Sequence, residues 1–235
     1  METFPTVFVL HVQNGYEERG AHIEKMMSEL GIDFKYILRG DKSELTPEVM
    51  SCYFDPSGEL GVPSGATSCA YKHLLACEEI IAANLPGALI FEDDIVLKPD
   101  FAEIALKSIE ELPDTPSIIN YEDTRLRFVP ASMRQRGKVL YPGDRDRFAG
   151  ALYINRSGAE VIVNEAKARK LGVPIDIFHR QLLDDHSISY WWVHPCVATQ
   201  GSFNGKFKSS LSSDRAKVIV WKLRRLYRKL LYRFR

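Results

Sequence analysis

Three consecutive carboxylates, Glu92, Asp93 and Asp94, follow the apolar run Ala88-Leu89-Ile90-Phe91 and precede a second apolar run, Ile95-Val96-Leu97. The first run has the pattern of a strand buried on both faces, so the acids fall at its end. Like charges crowded there repel one another, and a divalent cation is the usual agent that offsets such repulsion. Glu92 and Asp94 are two apart and share a direction on an extended chain, which suits them to hold one ion and the phosphates it carries. Asp93 points the other way and is expected to make structural hydrogen bonds. A solvated acidic turn is the competing reading of the same three residues. Two further groups stand out. His73 lies within an apolar helical stripe, either as a working imidazole or as a core histidine bonded to a neighbour. Asp176 is a lone acid among apolar residues, either a base or a helix N-cap.

These residues need a scaffold, and the pattern supplies one. Residues 6–12 read as a buried strand, 18–30 as a helix with Ile23, Met26, Met27 and Leu30 inward and Gly31 as its C-cap, and 34–38 as a second strand. That order predicts a parallel sheet with ligand loops at its strand ends. No glycine-rich fingerprint follows the first strand, which weakens a dinucleotide or P-loop reading. Residues 40–64, rich in Pro and Gly, read as an irregular excursion. Ser64 suits the N-cap of a helix running to about Asn84, and Asp100 suits another. Residues 117–120 form a short strand that again delivers acids, Glu122 and Asp123, at its end. The segment 122–147 then carries Arg125, Arg127, Arg134, Arg136, Lys138, Arg145 and Arg147, either as a mobile solvated loop or as a flap over phosphates or an acceptor. A strand over 147–154, a helix from Asn155 or Ser157 through Ala168, a new element from Pro174, an aromatic strand over 187–193 closed by His194-Pro195, and a loop over 200–204 complete the pattern.

The chain has 235 residues, 45% of them hydrophobic, enough for one large α/β domain. Its formal net charge is zero, but residues 215–235 hold nine Lys or Arg and no acid, and residues 1–214 hold 22 Lys or Arg against 31 Asp or Glu, a net of −9. An acidic body excludes nucleic acid as the main ligand and leaves an anionic surface to the tail. There Ile219, Leu223, Leu226, Tyr227, Leu230, Leu231 and Phe234 share one helical face, with Lys222, Arg225, Lys229 and Arg233 opposite. This is the pattern of an in-plane membrane anchor, against a helix packed on the domain with a basic outer face. The four cysteines form no CxxC pair and read as free thiols of a reducing compartment. The N-terminal apolar run is too short for a signal peptide, and no stretch approaches a membrane span. The expected location is cytoplasmic, peripheral to the inner face of the cell membrane.

The motifs occur in the order of a known family. The chain resembles glycosyltransferase family 25, the bacterial lipooligosaccharide β-galactosyltransferases and their relatives, over nearly all of residues 5–213. The likeness rests on the strand–turn–helix VFVLHVQNGYEERGAHIEKMMSELGIDFKY, GATSCAYKH (65–73), the Phe91-Glu92-Asp93-Asp94 motif, AGALYINRSGAEVI, Pro174-Ile175-Asp176 and the segment Pro195 to Gln200. Lys72 stands where that family usually has Ser, and Ala66-Thr67-Ser68 replaces Glu-Ile-Gly. The resemblance implies a GT-A type nucleotide-sugar-binding α/β fold with a mixed, mostly parallel central sheet over 1–213, with the basic amphipathic helix as a separate unit over 214–235. It implies inverting transfer of a hexose, galactose from UDP-galactose, to a saccharide of a lipopolysaccharide, lipooligosaccharide or other surface glycan or glycolipid. A GT-A mechanism uses Mn²⁺ or Mg²⁺; here Asp94 would be the direct ligand, with Glu92 through water or on the ribose, and His194 the candidate ligand from the C-terminal half. Asp176 would be the base, and Asp93, His73, Arg19 and Gln200 would serve the donor site. The same fold with UDP-glucose or a UDP-N-acetylhexosamine is one rival. Metal-dependent phosphohydrolysis is another, since acids at strand ends also serve phosphoryl transfer. A non-catalytic carbohydrate-binding relative is a third.

Overall fold

The computed structural model describes residues 4–207 and 215–232. The elements in chain order are β1 (Thr6–Leu10), α1 (Glu17–Leu30), β2 (Lys35–Ile37), α2 (Pro47–Tyr53), α3 (Gly65–Ala82), β3 (Gly87–Glu92), β4 (Ile95–Leu97), α4 (Phe101–Glu110), β5 (Ser117–Asn120), β6 (Leu140–Pro142), β7 (Ala151–Asn155), α5 (Arg156–Arg169), α6 (Ile175–Asp184), β8 (Ser189–Val193), β9 (Ala198–Gln200), α7 (Gly201–Asn204) and α8 (Arg215–Leu231). Seven strands form the central sheet in the order β2-β1-β3-β7-β5-β8-β6, while β4 and β9 pair separately. Strands β6 and β7 run antiparallel to their neighbours and the other five share one direction, so the sheet is mixed and mostly parallel.

Period-two alternation builds both faces from one strand. In β1, Phe8 and Leu10 enter one apolar cluster and Val7 and Val9 the other; in β3, Ala88 and Ile90 face the first and Leu89 and Phe91 the second. The first cluster packs under α3, α5 and α6, with Leu74, Ile80, Ile162 and Phe178. The second packs under α1 and α4, with Ile23, Met27, Phe101 and Ala105. The chain leaves β1 for β2 on one side and returns to β3 on the other. The C-terminal ends of β1 and β3 therefore flank a switch point of the parallel strands, where ligands bind open α/β sheets.

Local chemistry sets the helix ends. The Ser64 side chain accepts a hydrogen bond from the Thr67 backbone N–H, Asn155 does the same for Gly158, and Gly31 ends α1 in the left-handed region at φ 64°. Asp100 precedes α4, but its side chain makes no cap hydrogen bond.

Several expectations needed correction. Residues 40–64 contain α2, capped by Thr46, because Pro47 occupies the first turn, where proline favours a helix rather than breaking it. Residues 201–204 form a short helix rather than loop. Asp93 and Asp94 sit in a turn between β3 and β4 rather than on an extended strand. The segment 122–147 is not a wholly solvated loop: Glu122, Asp123, Thr124, Asp146 and Arg147 are all buried. Arg147 lies over the Trp192 ring at 4.3 Å and donates to the Val193 carbonyl at 3.3 Å. The predicted boundary at 213/214 and residues Arg233 and Phe234 lie outside the described residues.

The orientation of α8 reverses the packed reading of the tail, which expected a basic outer face. Its polar side is held to the domain: Arg225 Nε donates to Asp123 at 2.8 Å, and Trp221 Nε1 donates to the Thr124 carbonyl at 2.9 Å. Its apolar side, with Ile219, Leu223, Leu226, Tyr227 and Leu230, faces outward. No helix among the described residues is long and apolar enough to cross a membrane.

Candidate active site

The alternation of β3 continues to its tip and sorts the first two acids onto opposite sides of the sheet. Asp93 falls on the α1 side. Its Oδ2 lies 2.8 Å from His11 Nδ1, just beyond β1, and its Oδ1 accepts from Arg19 in the first turn of α1 at 2.9 Å. Asp93 thus has the hydrogen-bonding role expected of it, and it ties β1, α1 and β3 together at the switch point.

Glu92 falls on the α3 side and is partly open to solvent. Its Oε1 accepts from Cys69 Sγ at 3.6 Å and lies 3.5 Å from His73 Nε2, and its Oε2 accepts from Gln200 Nε2 at 3.4 Å. Asp94 is buried. Its Oδ2 accepts from the Ser202 backbone N–H at 3.3 Å, while its Oδ1 has no hydrogen-bond partner among the described residues. Burial, and secondarily the Glu92 charge, push the Asp94 carboxyl up to about 6. A buried carboxylate oxygen without a donor is costly unless something positive reaches it. The hard oxygen donors of Asp94 and Glu92 fit Mn²⁺ or Mg²⁺.

A clip from the far end of the chain fixes this turn. Strand β9 pairs with β4, placing Gln200 opposite Ile95, and Gly201 N–H donates to the Asp94 carbonyl at 2.6 Å. Beneath lies Glu122, fully buried, accepting from Gly150 N–H at 2.7 Å and from the Thr124 hydroxyl at 2.6 Å. Burial raises the Glu122 carboxyl well above the usual range, and the nearby Glu92 and Asp94 charges add to that shift.

Asp176 occupies the first turn of α6, but Pro174 holds the N-cap position, so Asp176 is not the cap. Its Oδ2 accepts from Arg125 Nη2 at 2.7 Å. Burial raises its carboxyl, Arg125 opposes the shift, and the Asp146 and Glu92 charges add to it. Arg125 itself stacks on Phe148 at 4.1 Å and lies 3.0 Å from Asp146. The sequence named Arg125 only as one of seven basic residues. Its position two residues past Asp123, the last acid after the second acid-tipped strand, was the signal available. Beyond Arg125 opens a cleft of about 650 Å³ lined by Arg127, Phe128, Arg145, Trp192 and Tyr232 among others.

His73 is buried against His179 in a T-shaped arrangement at 6.4 Å, and none of the four ring nitrogens makes a hydrogen bond. It is therefore not a satisfied core histidine. His194 is not brought to the carboxylates. Its charged neighbours are Arg134, Arg147 and Lys98, and burial together with those cations pushes its imidazole down to about 4. Those positive charges disfavour a further cation beside His194.

A family model described as glycosyltransferase family 25 (LPS biosynthesis protein) matches residues 4–178. A "Glycosyltransferase 25 family member" of Drosophila melanogaster is 22% identical over 195 residues, covering 79% of this chain and 32% of the relative. Its namesake of Aedes aegypti is 20% identical over 198 residues, covering 80% and 32%. The chain thus spans about a third of the length of these curated relatives. Among solved structures, a glycosyltransferase involved in the glycosylation of the major capsid of PBCV-1 superposes with a TM-score of 0.42 at 11% identity, over 83% of this chain and 92% of that one.

Proposed function

The chain belongs to glycosyltransferase family 25, and from that premise we propose that it is a metal-dependent transferase that moves a hexose from a UDP-sugar to a saccharide acceptor with inversion. Galactose from UDP-galactose is the donor we propose, and a surface glycan or glycolipid the acceptor. The observation that carries this reading is the buried, unpartnered Asp94 Oδ1 beside Glu92 at the switch point of the sheet.

In this reading Asp94 and Glu92 hold Mn²⁺ or Mg²⁺, which when bound supplies Lewis-acid stabilisation of the departing diphosphate. Gln200 braces Glu92, while Asp93 and Arg19 keep the turn fixed to β1 and α1. Asp176 takes the proton of the acceptor hydroxyl, and Arg125 orients it. The cleft beyond Arg125 receives the acceptor, since it opens next to the proposed base. We also propose that the outward apolar side of α8, flanked by Lys222, Arg224 and Arg228, rests on an anionic membrane surface.

The test is UDP release with a panel of UDP-sugars, with Mn²⁺ or chelator, and a simple sugar or lipid-linked acceptor. Chelator-sensitive release with UDP-galactose supports the reading and its donor. Release with another donor keeps the chemistry and changes the sugar. Absence of UDP binding overturns it, as does metal-dependent release of phosphate from simple esters without an acceptor. Sedimentation with anionic vesicles, expected to be lost in Leu223→Asp, tests the membrane contact separately.

A further inference from the structure

Glu92 Oε1 faces away from Gln200, toward two donors on α3 that the proposed transfer does not use as a pair. Cys69 and His73 are four residues apart on that helix, so their side chains share one face. Cys69 Sγ, a His73 ring nitrogen and a Glu92 carboxylate oxygen all lie within 4.8 Å of one another. The separations are 3.6 Å from sulfur to oxygen and 3.5 Å from Nε2 to oxygen. Ligand atoms roughly 2.0–2.3 Å from a tetrahedral zinc ion lie roughly 3.3–3.8 Å apart, and the sulfur–oxygen and nitrogen–oxygen separations fall in that range.

A second observation points to a missing ligand at this place. The His73 side chain is 1% exposed, and neither of its nitrogens has a hydrogen-bond partner. The facing His179 is in the same condition, with both nitrogens buried and unpartnered. Two adjacent imidazoles leave four buried ring nitrogens without a hydrogen bond, with only Glu92 Oε1 standing near, 3.5 Å from His73 Nε2, and native cores rarely tolerate this. An ion at His73 Nε2 would satisfy one of them directly.

We propose that Cys69, His73 and Glu92 form a site for a borderline-soft divalent cation, Zn²⁺, distinct from the hard-cation position at Asp94. Thiolate and imidazole select zinc over manganese or magnesium, whereas the oxygen donors of Asp94 do the reverse. The Cys69 proton leaves to solvent as the metal–sulfur bond forms. Glu92 connects the two positions, with Oε1 toward the thiol and imidazole and Oε2 toward Gln200. Cys69 is half-buried and Glu92 is partly open to solvent, so the position is not sealed.

The experiment uses the full chain stripped of metal, with Co²⁺ as a spectroscopic probe displaced by Zn²⁺. The expected result is a thiolate-to-cobalt charge-transfer band at one equivalent per chain, bleached by Zn²⁺. Cys69→Ser abolishes the band and weakens Zn²⁺ binding by about tenfold or more, since even groups that only orient a ligand cost that much when removed. Asp94→Asn and Cys52→Ser leave both unchanged. A wild-type chain without the band overturns the site, and so does a band that survives Cys69→Ser or disappears in Asp94→Asn. Thermal melts of each variant separate loss of the site from loss of the fold, and His73→Gln, which removes the imidazole while keeping a polar side chain, repeats the test from a second ligand.

Discussion

Strands β3 and β5 both end in acids, and their sequences give little reason to treat them differently. Their surroundings do. At the tip of β5, Glu122 accepts from Gly150 and Thr124, and Asp123 accepts from the Thr199 hydroxyl at 2.6 Å and from Arg225. Every carboxylate there is consumed by the protein itself. At the tip of β3 only Asp93 is consumed, by His11 and Arg19, while Glu92 remains partly open and Asp94 keeps a bare buried oxygen. Acids that close their own hydrogen bonds are framework, and acids left one bond short are where a ligand is needed.

The comparison breaks most directly at Asp94. Asp94→Ala is expected to lower metal-dependent sugar transfer by about a hundredfold or more, with thermal stability at or above that of the parent. A variant with parental turnover would place the β3 acids with those of β5. The next largest effect is expected at Glu122. Replacing it with Ala strands the Gly150 N–H and the Thr124 hydroxyl and should cost about 1–3 kcal/mol in denaturant unfolding. Glu122→Gln should cost less, because the amide keeps one acceptor oxygen for these donors. Equal losses in the two variants would show that both acceptor oxygens are needed. Arg225→Met removes the nearer of the two cations facing buried Asp123 and should cost about 1–3 kcal/mol, the exposure of Arg225 and the remaining Lys229 holding the effect below that of a fully buried pair. Limited proteolysis within α8 should accelerate in that variant, and an unchanged digestion pattern would show that Trp221, Lys229 and the Tyr232 carbonyl suffice to hold the helix.

A pH series sharpens the contrast with the smallest signal. Asp94 keeps its proton to about pH 6 when folded, against about 3.9 in an unfolded chain. Between those values the folded state binds more protons, so stability falls as pH rises. Metal-free Asp94→Asn should therefore exceed the parent by on the order of 1–2 kcal/mol at pH 7, with the gain vanishing near pH 4. A gain that grows toward acid would mean that Asp94 is stabilised as an anion.

The framework was largely legible because it rests on local rules. Alternation in 88–91, the cap at Ser64 and the stop at Gly31 each act within a few residues, and the structure reproduces them. The helix at 47–53 was missed by reading proline as a breaker where it begins a helix. The site was legible only in its first half. Glu92, Asp93, Asp94 and Asp176 stand out by type, yet what separates Asp94 from Asp123 is whether distant residues bring donors. Nothing near Asp123 announces Thr199 or Arg225. Arg125 was hidden among other arginines, and the ring of cations around His194 forms only in three dimensions.

The pairing of β4 with β9 carries a consequence for how the protein comes to be. Residues 95–97 and 198–200 meet across roughly a hundred positions of chain, and the Gly201 and Ser202 amides reach back to Asp94 over a similar span. Contacts of such separation form late, after loop-closure entropy has been overcome. During synthesis β1, α1, β2 and β3 can assemble with Asp93 already bound to His11 and Arg19, while Asp94 waits for its brace. A nascent or truncated chain ending before residue 198 would thus hold its acidic motif in an unfinished turn, and competence would arrive as one of the last events of folding.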